Sequence, residues 1–333
     1  MINEAKKIVE KWSGEKIDSI YLLPPSGSPR RYYRAILKER SFIVTYSSNI
    51  DENKTFISFT KSFNSKNLRV PEIFYLSEDY HFYIQSDLGD DRLFDYLKRN
   101  GWSENVKAIY KRSLDELLKF QFNGLGNLDL SLAYPRGEFD RQSIIWDLNY
   151  FKYYFVKLAE IDFHEQRLED DFNLFADYLL QAEREFFLYR DFQTRNIMIV
   201  DETPYFIDYQ GGRKGALHYD VASLLYDAKA DIPESAKDEM LKYYVDNLKL
   251  IDNDKAESFL NYYYHFVLVR MLQALGAFGF RGIVQRKPHF IESIPFAIHN
   301  IQKLVAEKLQ GMPFPELRSV IEKFNVKQFE DLI

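Results

Sequence analysis

Three polar side chains sit at the edges of apolar runs in FFLYRDFQTRNIMIVDETPYFIDYQ, residues 186–210: Asp191, Asn196 and Asp208. Arg190-Asp191 is followed by Asn196, then by the apolar run NIMIV, a turn at DETP, and YFID ending in Asp208. This is the set that phosphoryl transfer needs. Such a reaction leaves little covalent chemistry to the protein, which must position groups and stabilise charge. One carboxylate has to orient or deprotonate an acceptor hydroxyl. Oxygen donors have to hold Mg²⁺ against the nucleotide phosphates, and Mg²⁺ takes only one or two protein carboxylates. A single Asp or Asn in a turn would signify no more than backbone capping. Three at this spacing, with an apolar hairpin between the second and third, point to a site.

The bulk composition narrows the classes. At 333 residues the chain is long enough for a large core and for two lobes, with 46% hydrophobic and 28% charged residues. The 24 Tyr and 28 Phe suit large packed interfaces. Net charge is −6, and the only dense basic patch is RRYYR at 30–34, so no nucleic-acid partner is expected. There is no cysteine, hence no disulfide framework and no thiolate chemistry, which is compatible with the cytoplasmic location expected here. The start, MINEAKKIVEKW, reads as an amphipathic helix with scattered charge rather than a signal peptide. No run of about 18 apolar residues is seen, so no membrane span is expected. The six histidines show no metal-ligand spacing. No protein partner is inferable.

Elements must then place the three residues. Residues 3–12 read as a helix. SIYLLPPSGSPRRYYRAILKERSFIVTYSS reads as strand, turn, strand, turn, strand, with small and helix-breaking residues in the first turn. A helix with Phe56, Phe59 and Phe63 on one face follows, then two more strands up to about residue 85. From DRLFDYLKRN onward the pattern is helical, with helices expected at 104–122, 142–160, 168–183, 218–229, 234–250, 255–278, 290–310 and 315–324, interrupted by a hairpin at 186–210. The expected fold class is α+β: a two-lobed, protein-kinase-like fold with a small antiparallel β N-lobe (1–87) and a mainly helical C-lobe (88–333).

LYRDFQTRNIMI, YFIDYQ and HYDVASLLYDAK resemble the catalytic loop, the second metal-ligand strand and the following helix of the aminoglycoside phosphotransferase and choline kinase superfamily. The resemblance implies that Asp191 is the catalytic base and that Asn196 and Asp208 are Mg²⁺ ligands. Asp220 would be the helix-start residue that braces the catalytic loop. Tyr189 stands where the family usually has His. LPPSGSPRRYYRAIL, RVPEIFYL, SDLGDDRLFDYL, DYQGGRKGALHYDVASLLYDA and RMLQALGAFGFRG resemble segments of a narrower group, the kinases that phosphorylate the anomeric hydroxyl of N-acetylmuramate and N-acetylglucosamine.

One departure stands out. The third N-lobe strand, SFIVTYSS, carries no lysine to hold the phosphates, with Thr45 and Tyr46 near that place. Arg30, Tyr32 and Arg34 share one strand face, and Arg31 and Tyr33 the other. Among these arginines, Arg31 is the candidate for the phosphates. Ser26, Gly27 and Ser28 are candidates to offer backbone N–H groups to phosphate oxygens. Asp87 and Leu88, in QSDLG, are candidates for the hinge that meets adenine. Glu52 reads as a solvated charge rather than as the acidic partner of the missing lysine. Arg270 and Gln273, three apart on one helix face, and Asp227, two turns beyond Asp220, are candidates for the acceptor pocket. The resulting expectation is an ATP- and Mg²⁺-dependent kinase of a small sugar in cell-wall recycling. An aminoglycoside or choline kinase and a catalytically inactive nucleotide-binding scaffold are its rivals. The absent lysine supports the scaffold, and the intact set of Asp191, Asn196 and Asp208 opposes it.

Overall fold

The computed structural model describes residues 1–24 and 29–330. The amino-terminal part contains α1 (Ile2–Ser13), β1 (Ser19–Leu22), β2 (Arg31–Leu37), β3 (Arg40–Tyr46), α2 (Ile50–Ser65), β4 (Ile73–Leu76) and β5 (Phe82–Ser86). The five strands form one antiparallel sheet in the order β1-β2-β3-β5-β4. Period-two alternation sorts its residues onto two faces. Tyr33, Ala35, Phe42, Val44, Phe82 and Ile84 pack with Ala5 and Val9 of α1 into a small apolar cluster. On the other face Arg34, Thr45, Tyr83 and Gln85 are also buried, so polar side chains line the side of the sheet that faces the rest of the molecule. Asn49 caps α2 by accepting from Glu52 N at 3.1 Å, and Phe56, Phe59 and Phe63 tie that helix into the main core.

The remainder is mainly helical: α3 (Leu93–Asn100), α4 (Glu104–Asn123), α5 (Arg141–Phe151) and α6 (Glu165–Leu179) precede the segment that carries Asp191, Asn196 and Asp208. That segment holds β6 (Phe186–Leu188), β7 (Ile197–Val200), β8 (Thr203–Phe206), β9 (Arg213–Gly215) and α7 (His218–Leu225). After it come α8 (Glu234–Ile251), α9 (Asn253–Phe278), α10 (Pro288–Ile291), α11 (Ile294–Lys308), α12 (Pro315–Glu322) and α13 (Lys327–Glu330). This is the expected α+β arrangement, with local differences; α6 and α7 end at Leu179 and Leu225, four residues short of the expected 183 and 229, and three further elements differ. The single hairpin expected over 186–210 is two nested ribbons: β7 pairs with β8, while β6 pairs with β9 beyond Asp208. The helix expected over 142–160 leaves α-helical geometry at residue 151 and finishes as a π-helical turn, Lys152–Val156. The helix expected over 290–310 is broken in two, with Pro295 in the first turn of the second piece.

The cause of the first break lies on α9. This helix runs into its own π-turn, Gly279–Val284, and packs against α5. A Cβ at Gly279 would stand 1.9 Å from the carbonyl oxygen of Tyr154, and one at Gly276 would stand 2.8 Å from Phe151 N. Only glycine permits that backbone contact. The stretch Asn253–Val284 is long and apolar enough to cross a membrane, but more than half of its most apolar window is buried inside the protein, as in a core helix.

Candidate active site

Asp220, in the first turn of α7, is fully buried and accepts from Tyr189 N at 2.6 Å and Arg190 N at 2.9 Å. Burial pushes its carboxyl up to about 7 against the pull of those two donors. It therefore braces the catalytic loop, the place the sequence reading assigns to it. Arg190 holds the left-handed backbone region at φ 82° and forms a bidentate pair with Asp147 of α5, at 2.7 and 2.6 Å. The Tyr189 hydroxyl donates to Ile207 O at 2.7 Å and links the loop to the strand before Asp208. Asp227 accepts from Thr194 N at 3.2 Å and from the Thr194 hydroxyl at 2.5 Å. Its carboxylate thereby holds Thr194 of the loop in place.

This bracing sets Asp191 beside Asn196 and Asp208. Burial raises the pKa of Asp191; the charges of Arg270, Arg190 and Arg213 oppose that rise, and Asp208 adds to it. Asn196 Nδ2 donates to Asp191 O at 2.9 Å and lies 3.3 Å from Asp208 Oδ2. With its nitrogen held by a carbonyl, the amide has its oxygen left as an acceptor. Among the described residues no three acidic or histidine side chains converge as a metal cage. Two oxygen donors, one carboxylate and one amide, fit a Mg²⁺ whose remaining ligands are phosphates and water.

The opposite wall comes from the sheet. Arg30, just ahead of β2, is buried; its Nη2 lies 2.7 Å from Glu52 Oε1 and its Nη1 lies 3.6 Å from Asp208 Oδ1. Gln210 Nε2 donates to Asp208 Oδ1 at 2.7 Å and to Glu52 Oε1 at 3.3 Å. Glu52 is therefore a paired group on the site side of α2, not a solvated charge. Arg31, the expected phosphate contact, is exposed at the start of β2, because strand alternation turns it away from the face that holds Arg30 and Arg34. Ser26, Gly27 and Ser28 lie outside the described residues. Arg34 takes the Asp87 carboxylate at 2.6 Å and reaches Asp90 at 2.9 Å. Asp87 thus stiffens the link between sheet and helices with its side chain, and its backbone and that of half-buried Leu88 are what remain for a base.

From α9 comes Arg270, whose charge acts on Asp191, whose Nε donates to Ser223 Oγ at 3.0 Å and whose Nη1 donates to Gln273 Oε1 at 2.8 Å. Arg270 and Gln273, both expected as candidates for the acceptor pocket, are thus bonded to each other. Arg213 and Gln210 were not singled out from sequence. They lie in DYQGGRKG, next to the recognised motif, and no periodicity marks them. Gly211 packs against the Asp191 carboxylate, since a Cβ there would lie 3.7 Å from Oδ2.

Residues 23–256 match the profile of the phosphotransferase enzyme family. The chain is 24% identical to the N-acetylmuramate/N-acetylglucosamine kinase of Neisseria meningitidis serogroup B over 286 residues, 83% of this chain and 82% of that one. It is 24% identical to the kinase of the same name from Pseudomonas aeruginosa over 320 residues, 93% of this chain and 90% of that one. Among solved structures, the ethanolamine kinase of Plasmodium vivax superimposes with a TM-score of 0.63 at 13% identity, covering 85% of this chain and 82% of that one. ADP-bound aminoglycoside phosphotransferase APH(2'')-Ib does so with a TM-score of 0.57 at 15% identity, covering 92% and 97%. These likenesses bear out the protein-kinase-like fold.

Proposed function

We propose that this chain, which belongs to the phosphotransferase enzyme family, moves the γ-phosphoryl group of ATP to the anomeric hydroxyl of N-acetylmuramate or N-acetylglucosamine. The observation that carries the reading is the meeting of Asp191, Asn196 and Asp208 on the catalytic segment, opposite Arg30 and Glu52. The names of the relatives from Neisseria meningitidis and Pseudomonas aeruginosa supply the acceptor. In this reading Asp191 takes the proton of the C1 hydroxyl as its oxygen bonds to the γ-phosphorus. The bond from that phosphorus to the bridging oxygen breaks, and ADP leaves with the electron pair. Asp208 and Asn196 hold Mg²⁺, which neutralises charge on the phosphates when bound. Arg30 stands in for the absent strand lysine, with Glu52 as its partner. The backbone of Asp87 and Leu88 meets the base. We divide the chain accordingly into a nucleotide-covering unit, 1–87, and a catalytic and acceptor unit, 88–333.

The test offers the free sugars, the methyl glycoside of N-acetylglucosamine and an aminoglycoside at equal concentration, with the product position read by phosphorus NMR. The methyl glycoside has no C1 hydroxyl and should not react. Equal rates for it and the free sugar would exclude the anomeric position. Turnover of the aminoglycoside alone would exclude the sugar.

A further inference from the structure

The charges around Asp191 do not balance on the acceptor side. Arg190 is neutralised by Asp147. Arg213 and Arg270, with 6% and 8% exposure, have no carboxylate within ion-pair reach among the described residues. Arg213 donates through Nε to Gly211 O at 3.0 Å, and a Cβ on that glycine would lie 3.7 Å from Asp191 Oδ2. Arg270 spends two nitrogens on the neutral side chains of Ser223 and Gln273. Both guanidinia feel the Asp191 charge but form no direct ion pair with it, so they keep N–H donors that a bound anion can complete.

A third group makes the same request. Tyr219 is fully buried and its hydroxyl has no hydrogen-bond partner among the described residues. Its ring centre lies 5.0 Å from the Arg190 guanidinium carbon and 5.9 Å from that of Arg270. The crowding of positive charge is visible in Arg213, which burial and the Arg190 charge push down to about 10.

Resting on the kinase reading above, we propose that Arg213, Arg270 and Tyr219 form a carboxylate-binding subsite beside Asp191, which selects an acceptor sugar carrying an acid group. N-acetylmuramate has such a group on its lactyl ether, and N-acetylglucosamine has none. The transferring phosphate is the other oxyanion this chemistry would hold. The placement favours the acceptor: Arg30 is the cation on Asp208, on the nucleotide side, while Arg270 is the cation that acts most on Asp191. Arg270 also reaches the site from α9, in the helical part, away from the sheet.

The test uses the intact chain and two readouts. Calorimetric titration without nucleotide compares N-acetylmuramate with its neutral methyl ester. Hydrogen bonds to a charged group predict about tenfold tighter binding of the acid. Arg270→Gln and Arg213→Gln should each erase that preference while leaving the ester's affinity in place. Steady-state kinetics should show a fall of about tenfold or more in kcat/KM for N-acetylmuramate in either variant, a much smaller fall for N-acetylglucosamine, and an unchanged KM for ATP. No preference for the acid in the unsubstituted protein overturns the subsite. Equal losses for both sugars with a raised KM for ATP assign the arginines to the transferring phosphate and overturn it as well. A preference for the acid in titration, with neither sugar phosphorylated, leaves the subsite standing and removes the proposed reaction instead.

Discussion

The two walls of the cleft are built in opposite ways. The catalytic wall, residues 186–228, is held largely from within: Asp220 holds Tyr189 and Arg190, Asp227 holds Thr194, and Asn196 holds the Asp191 carbonyl. The sheet wall is held across long stretches of chain. Arg30 reaches Glu52 on α2 and Asp208 beyond β8, and Arg34 reaches Asp87 and Asp90 past the end of β5. A wall braced by backbone N–H donors keeps its shape before any ligand arrives. A wall made of side-chain pairs between separate elements depends on how those elements sit against each other. Losing a group from the first should therefore remove chemistry, and losing one from the second should remove positioning.

The sharpest check on this contrast is Asp191→Asn. Loss of general-base catalysis should lower kcat by about 10² to 10⁴, with KM for ATP little changed because the braces around the loop remain. Near-normal turnover would take Asp191 out of this role and leave the catalytic wall without its centre.

A smaller effect, on a different parameter, is expected across the cleft. Arg30→Ala should raise KM for ATP by about 10- to 100-fold, since it deletes charge-assisted hydrogen bonds to the phosphates and leaves Glu52 facing Asp208 without a cation. Arg30→Lys keeps the charge but not the fork, and should recover part of the loss. If KM for ATP is unchanged in Arg30→Ala while kcat collapses, the two walls do not divide their labour in this way.

The same contrast explains what could be read from sequence. Asp191, Asn196 and Asp208 lie close in the chain, at intervals fixed by one loop and one two-residue hairpin. That turn is Asp201-Glu202, both at positive φ, and the β7–β8 register around it is regular, so spacing carried the geometry. The pairing of Arg30 with Glu52 had no such carrier. Choosing between Arg30 and Arg31 depends on where β2 begins, and a shift of one residue reverses the faces. Gln210 bridges Glu52 and Asp208 through contacts that no periodicity announces. The π-helical end of α5 was hidden for a related reason. KYYFV contains no helix breaker, and the glycines that draw α9 against it lie on the other helix. The helix expected over 218–229 ends at Leu225, so Asp227 lies past its end and its distance from Asp220 is not set by helical spacing.

The smallest effect concerns the foundation of the catalytic wall. His218 opens α7, two residues before Asp220, and its ring is stacked between Phe259 at 4.4 Å and Phe266 at 4.9 Å. Burial pushes this imidazole down to about 3, so the folded protein keeps it neutral where the unfolded chain would protonate it. Below pH 6.5 the unfolded state then binds more protons than the folded one, and stability falls as pH falls. The stability is complete above the ordinary histidine value and is lost progressively from there down to about pH 3. By this linkage the loss from His218 is about 2 kcal/mol at pH 5. His218→Phe suits the aromatic stack and cannot take up a proton. Urea unfolding of both proteins at pH 7.5 and pH 5 isolates the difference. The substituted chain should lose about 2 kcal/mol less between the two pH values. An equal loss in both would mean that the neutral imidazole does not set the acid sensitivity of the helix that carries Asp220. The catalytic wall would then owe its acid sensitivity to its carboxylates, as a wall of side-chain pairs does.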